Sequence, residues 1–108
     1  MKRHARNSLM VVALLFMIGS SFAEPPTHQF VPKDGFVPNA ETAIRIAVAV
    51  WEPIYGADNI ERQKPYRAQL VNGVWRVDGS LPPNTIGGTA HAEISQMDGR
   101  ILSVLHTR

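Results

Sequence analysis

Cysteine is missing altogether from this chain of 108 residues. Disulfides, thiolate metal sites, redox pairs, thiol nucleophiles and a lipid-modified cysteine are therefore excluded together, and any stability must come from packing. Aromatics are few at 7% of residues, and beyond the first six residues charge of one sign never clusters. With no basic stripe there is no electrostatic footprint for nucleic acid, so no nucleic-acid partner is expected. Long apolar runs are also scarce. The longest, Leu9 to Ile18, is too short to cross a hydrocarbon core about 30 Å thick.

That run has a different use. Lys2, Arg3 and Arg6 precede it, and Gly19, Ser20, Ser21 and Ala23 follow it, which is the order of a secretory leader with small residues before the cut. Cleavage after Ala23 is expected, leaving no stable membrane anchor and placing residues 24–108 in the periplasm or outside the cell. Three of the 11 basic residues go with the leader. Those that remain, Lys33, Arg45, Arg62, Lys64, Arg67, Arg76, Arg100 and Arg108, are outnumbered by the nine acids.

Three segments follow from composition: a leader over 1–23, a proline-rich extended arm over 24–38 and one small domain over 39–108. Phe30, Val31, Phe36 and Val37 are the arm's means of attachment to the core. Asn39 is suited to cap a helix whose first turn holds Glu41. Ala43, Ile44, Ala47, Val48, Trp51, Ile54 and Tyr55 recur at helical spacing, and Ile46, Ala49 and Val50 widen the stripe until little of the helix should face water. Pro53 should bend or end its last turn, and Ala57 to Lys64 has room for one more turn around Asp58 to Arg62.

From Tyr66 the period changes to two. Asn72-Gly73 joins Tyr66–Val71 to Val74–Val77 as a hairpin, and Asp98-Gly99 joins Thr89–Ser95 to Arg100–His106 as another. The fold class is α+β, one main helix packed on an antiparallel sheet of two hairpins. Alternation places Tyr66, Ala68, Leu70, Trp75, Val77, Ala90, Ala92 and Ile94 toward the helix. The opposite face then carries Arg67, Gln69, Arg76, Asp78, His91 and Glu93, the candidate partner-binding residues.

Chemistry is sparse. His91 and Glu93 at i, i+2 have the spacing of a proton-transfer pair or of two metal ligands, but a zinc site needs three or four, and a solvated or partner-contacting pair is the plainer reading. His28 and His106 read as surface residues. No serine has a nucleophile-elbow context, and Gly87-Gly88 precedes a strand rather than opening a helix, so it relaxes the backbone there rather than cradling phosphate. Trp51, Tyr55, Tyr66 and Trp75 read as core rather than pocket lining. No catalytic residue, metal or cofactor is expected.

The ordered segments Glu41-Thr42-Ala43-Ile44, Trp51-Glu52-Pro53-Ile54-Tyr55-Gly56, Gln63-Lys64-Pro65-Tyr66-Arg67-Ala68, Asn72 through Pro82, Gly87-Gly88 and Glu93 through Leu102 resemble the NTF2-fold immunity protein family, which includes YbbC/YhhH-like bacterial proteins. The resemblance spans roughly Gly35 to His106. It implies an NTF2-like cone with a curved sheet, and a protein that neutralises a cognate bacterial toxin or hydrolase by binding it, without catalysis. Combined with the leader, it implies a toxin that acts in or through the periplasm in competition between bacteria. Thr89 to His106 also looks like the strand-turn-strand of PepSY-type domains, which implies the alternative of a periplasmic inhibitor of a hydrolase or protease. A small-ligand-binding protein or enzyme of the NTF2-like type is the remaining alternative.

Expressed with its native leader, the exported product should begin at Glu24 by amino-terminal sequencing. A product that still begins at Met1 would refute the leader.

Overall fold

A computed structural model of the protein describes residues 28–108, and its compact unit runs over Val31–Arg108. The leader and the start of the arm lie outside the described residues. Helix α1 (Ala40–Tyr55) begins where Asn39 accepts a hydrogen bond from the Thr42 amide at 2.8 Å, the expected cap. It continues past Pro53, which is exposed and sits within the last turn. The short helix α2 (Ala57–Glu61) follows. Four strands complete the unit: β1 (Arg67–Val71), β2 (Val74–Asp78), β3 (Ala90–Ser95) and β4 (Ile101–His106), antiparallel and in the order β1-β2-β3-β4.

Both hairpins form where the turn chemistry puts them. Asn72 and Gly73 have φ of 50° and 78°, the paired positive values that a two-residue hairpin with the right twist requires. In the second hairpin the Asp98 carboxylate accepts from the Arg100 amide at 3.0 Å, and the strands close through Ser95 N–H to the Arg100 carbonyl at 2.9 Å. Leu102 is the extra residue of a bulge, because Glu93 pairs with Ser103 while Ile94 pairs with Ile101.

The core lies between α1 and one sheet face. Ala43, Ala47 and Trp51 form the buried line of the helix, against Trp75, Val77, Ala90, Ala92 and Ile94 of the sheet. Alanines on both layers of this core, Ala43 and Ala47 on α1 and Ala90 and Ala92 on β3, leave little side-chain bulk between helix and strand. The indole of Trp51 then donates to the His91 carbonyl at 3.3 Å and lies 6.0 Å from the Tyr66 ring.

The helix is wetter than its composition suggests. Ile44, Ile46, Val48 and Val50 are only half-buried, Ala49 is exposed, and Ile54 is 57% exposed, because four strands are wide enough to cover one stripe and not its flanks. Leu70 likewise shares Trp75's face through their pairing, yet it sits on edge strand β1 and remains 42% exposed.

The arm is fastened through its last residues. Phe36 N–H donates to the Met97 carbonyl at 2.9 Å and Val37 N–H to the Gln96 carbonyl at 3.0 Å, so the arm pairs with the turn between β3 and β4. Val37 is buried in the core and its carbonyl accepts from the Trp75 indole at 2.7 Å. Val31 and Phe36 stay exposed, so of these three only Val37 does the pinning expected of the arm's apolar residues. Gly35 makes this approach possible. Its φ is +83°, and a Cβ there would collide with the Gln96 carbonyl and come within 2.7 Å of Met97 Cα.

Gly35→Ala should therefore lower unfolding free energy by about 1–3 kcal/mol through backbone strain and loss of the arm's pairing. Urea denaturation checks this, and a change under roughly 0.5 kcal/mol would show that the arm is not tied to the fold.

Candidate functional site

The register of the sheet fixes what the face away from α1 presents. Arg67, Asp78, His91 and Leu105 form one row across the four strands, and Gln69, Arg76, Glu93 and Ser103 form the next. All six candidate partner-binding residues thus occupy two adjacent rows on three adjacent strands. Alternation along β3 is complete: Ala90, Ala92 and Ile94 are buried, while His91, Glu93 and Ser95 are partly exposed on the other side.

His91 is the centre of this face. Its Nδ1 lies 2.7 Å from Asp78 Oδ1 and its Nε2 lies 3.0 Å from Glu93 Oε2, so the ring bridges a cross-strand carboxylate and one on its own strand. A carboxylate can only accept, and two such contacts require both nitrogens to donate, which is the imidazolium form. The side chain is only 17% exposed, and burial by itself lowers its pKa. The hydrogen bonds to Glu93 and Asp78 and the charges of both outweigh burial and hold the pKa above its ordinary value. Glu93 moves the other way: the bond from His91 lowers its pKa and, with the positive charges of His91 and Arg76 acting in the same sense, outweighs the opposing effect of burial. Because the ring sits between the two acids, the three groups do not converge on a common point, and among the described residues no cluster of three His, Asp or Glu could hold a metal ion.

A second polar assembly was not legible in the sequence. Gln63 is 95% buried, since its exposure is 5%, and its Oε1 accepts from the Ala90 amide at 2.8 Å. That contact orients the amide, so Nε2 is the donor to His106 Nε2 at 3.2 Å, and His106 Nδ1 then donates to the Thr107 carbonyl at 2.8 Å. His106 is half-buried and its ring packs edge-on against Tyr55 at 5.1 Å, which corrects its reading as a surface residue. Gln63, His106, Arg62, Ser80, Leu81 and Thr85 line a cleft of about 240 Å³ between α2, the β2–β3 connection and the end of β4. His91 and its acids are not part of this cleft. Of the large aromatics, Trp51 and Trp75 are buried and Tyr55 and Tyr66 half-buried, with the Tyr66 hydroxyl donating to the Ile60 carbonyl at 2.7 Å. They build the core, as expected.

A sequence profile of NTF2 fold immunity proteins matches residues 42–108. The chain belongs to that family. A protein of Escherichia coli (strain K12), named "Uncharacterized protein YhhH", is 35% identical over 71 residues, covering 65% of this chain and 56% of that protein. The chain thus spans little more than half the length of this curated relative. No solved structure gives a significant match. The helix on a four-stranded antiparallel sheet agrees with the α+β architecture expected of an NTF2-like fold.

The His91 bridge carries a pH signature. A raised folded pKa means that His91 contributes its full stabilisation below the unfolded value of about 6.5 and loses it as pH rises through the folded value. The lowered pKa of Glu93 means the reverse: its contribution is present above its unfolded value and is lost as pH falls through the folded one. The stability difference between wild type and His91→Gln should therefore be largest in the weakly acidic range between those two limits and should shrink at alkaline pH. Urea midpoints of the two proteins across that range are the check, and curves that run parallel at every pH would show that the bridge contributes nothing.

Proposed function

We propose that the protein is an exported immunity protein that neutralises, without catalysis, a bacterial toxin acting in or through the periplasm, and that it does so with the outer face of its sheet. The observation that carries this reading is the assembly of Arg67, Gln69, Arg76, Asp78, His91 and Glu93 in two adjacent rows on a hydrogen-bonded sheet. Such a surface holds its side chains at fixed spacings, which lowers the ordering cost of binding, and its mixed charges select a partner of matching pattern. Exposed Leu105 at the end of the first row adds apolar area beside the charges.

A binding role also fits the chemistry of His91. Both of its ring nitrogens are engaged by carboxylates, which leaves neither available to take a proton from a substrate. The cleft at Gln63 and His106 is small beside the roughly 300–1,000 Å³ of common ligand pockets, and this favours a toxin-binding surface over a small-molecule site. The order of charged, apolar and small residues over 1–23, which reads as a secretory leader, supports a meeting with an exported toxin.

The test is affinity capture from a periplasmic extract with the full chain, expressed through its own leader and tagged at its carboxyl end. One exported toxin should be retained and its activity lost. Reversing the charges of Arg67, Arg76, Asp78 and Glu93 and replacing Gln69 and His91 by alanine should weaken binding to that toxin by at least about tenfold. Undiminished binding by this variant would move the interface off the sheet face.

A further inference from the structure

Two cross-strand oppositions on the outer face are unused. Arg67 lies directly opposite Asp78, and Arg76 directly opposite Glu93, with Cβ atoms of such pairs typically about 5 Å apart. Each arginine therefore has a carboxylate within easy reach. Yet among the described residues both ion pairs of this face are made by His91, and neither arginine joins one. The compact ring takes both acids at 2.7 and 3.0 Å with little side-chain entropy to lose, whereas each arginine must order a long chain to compete.

We propose that the outer sheet face receives an acidic protein surface, whose carboxylates bind Arg67 and Arg76, and that His91 keeps those arginines available by occupying Asp78 and Glu93. The proposal rests on the immunity reading, and it adds the chemistry of the partner and a control on its binding. With both acids engaged by the imidazolium, the grid of Arg67, Arg76 and His91 against Asp78 and Glu93 carries a net positive charge. A neutral imidazole has one N–H and can donate to only one acid. The other is released and turns to the arginine across from it. One arginine is then quenched, the face loses its positive excess, and an acidic partner is held less tightly.

Among the described residues no other charged group competes for the ring. On β4 its opposite is Leu105, with Ser103 in the next row, and neither is charged. On the far side of the sheet, α1 reaches only the backbone carbonyl of His91 through Trp51. On β1 and β2 the charged neighbours are Arg67, Arg76 and Asp78. The same geometry disfavours a nucleic-acid backbone: two arginines interleaved with two carboxylates would repel a continuous line of phosphates.

Side-chain NMR of the ¹⁵N-labelled protein tests this with a defined probe, an end-blocked peptide of alternating glutamate and glycine, and a glutamine–glycine control peptide. At about pH 5.5 the acidic peptide should shift the Arg67 and Arg76 Nε–H signals and the Gln69 amide, and at about pH 8.5 it should bind about three- to tenfold more weakly. His91→Gln should bind weakly at both pH values. Asp78→Asn combined with Glu93→Gln should bind tightly at both, and this variant decides the matter should His91→Gln fail to fold. Shifts confined to Arg62, Lys64 and Arg100, equal binding of the glutamine peptide, or a wild-type pH dependence retained in the variants would overturn the proposal. These results are independent of toxin capture. Captured toxin without peptide binding removes only the acidic partner, and peptide binding without captured toxin removes the immunity reading.

Discussion

Strand β3 is the member on which the two faces of the molecule depend, because its alternation must satisfy a tightly packed helix on one side and a charged surface on the other. Ala90, Ala92 and Ile94 are fully buried, and a slip of one residue would drive His91 and Glu93 into the core. The register is held at the strand's start by the Ala90 amide on Gln63 Oε1 and by Gly79 N–H on the Ala90 carbonyl, at 2.8 and 3.0 Å. At its other end Ser95 N–H closes on Arg100. Ala90 and Ala92 of β3 share the core with Ala43 and Ala47 of α1, and this small side-chain bulk lets Trp51 reach the backbone of His91. The residue at the middle of the charged face is therefore steadied from behind by the core.

A domain this small, without disulfides, has little apolar area to spend on stability, and its large aromatics serve twice. Trp51, Trp75 and Tyr66 each bury a ring and also donate to a backbone carbonyl, of His91, Val37 and Ile60 respectively. Each bond ties together segments that the chain alone does not hold: helix to sheet, arm to sheet, and the connection after α2 to that helix. Among the described residues no buried polar side-chain atom lacks a partner. The cost shows outside, where Ile54 on the flank of the helix and Leu70 on edge strand β1 remain more than 40% exposed because the contact between one helix and the sheet reaches neither.

Local signals carried most of the fold. The Asn39 cap, the Asn72-Gly73 turn and the change of period at Tyr66 are each determined within a few residues, and alternation from the turns outward gave all six outer-face positions. What sequence pattern could not supply was anything spanning distant segments. Gln63 meets Ala90 and His106 across 27 and 43 residues, and no spacing announces a buried amide with partners so far away. His91 was paired from sequence with Glu93 alone. Asp78 emerges as its second acid only when the β2–β3 register is known, since that register sets the two residues directly opposite each other. The exposure of Leu70 and of the helix flanks depends on how far a single helix reaches over the sheet, a question of layer width rather than of periodicity.

The interleaving of charge on the outer face bears on selectivity as much as on affinity. Surface ion pairs contribute little to binding singly, and a face of one sign would attract many partners indiscriminately. Here two acids sit within a field of two arginines and an imidazolium, so a partner must bring its carboxylates to Arg67 and Arg76 while keeping them clear of Asp78 and Glu93. A misaligned partner meets like charge at the adjacent position, which raises the free energy of wrong complexes rather than lowering that of the right one. The sheet makes that discrimination sharp because its backbone cannot yield: moving one charged column means breaking the ladder that buries Trp75, Val77 and Ile94 on the reverse side.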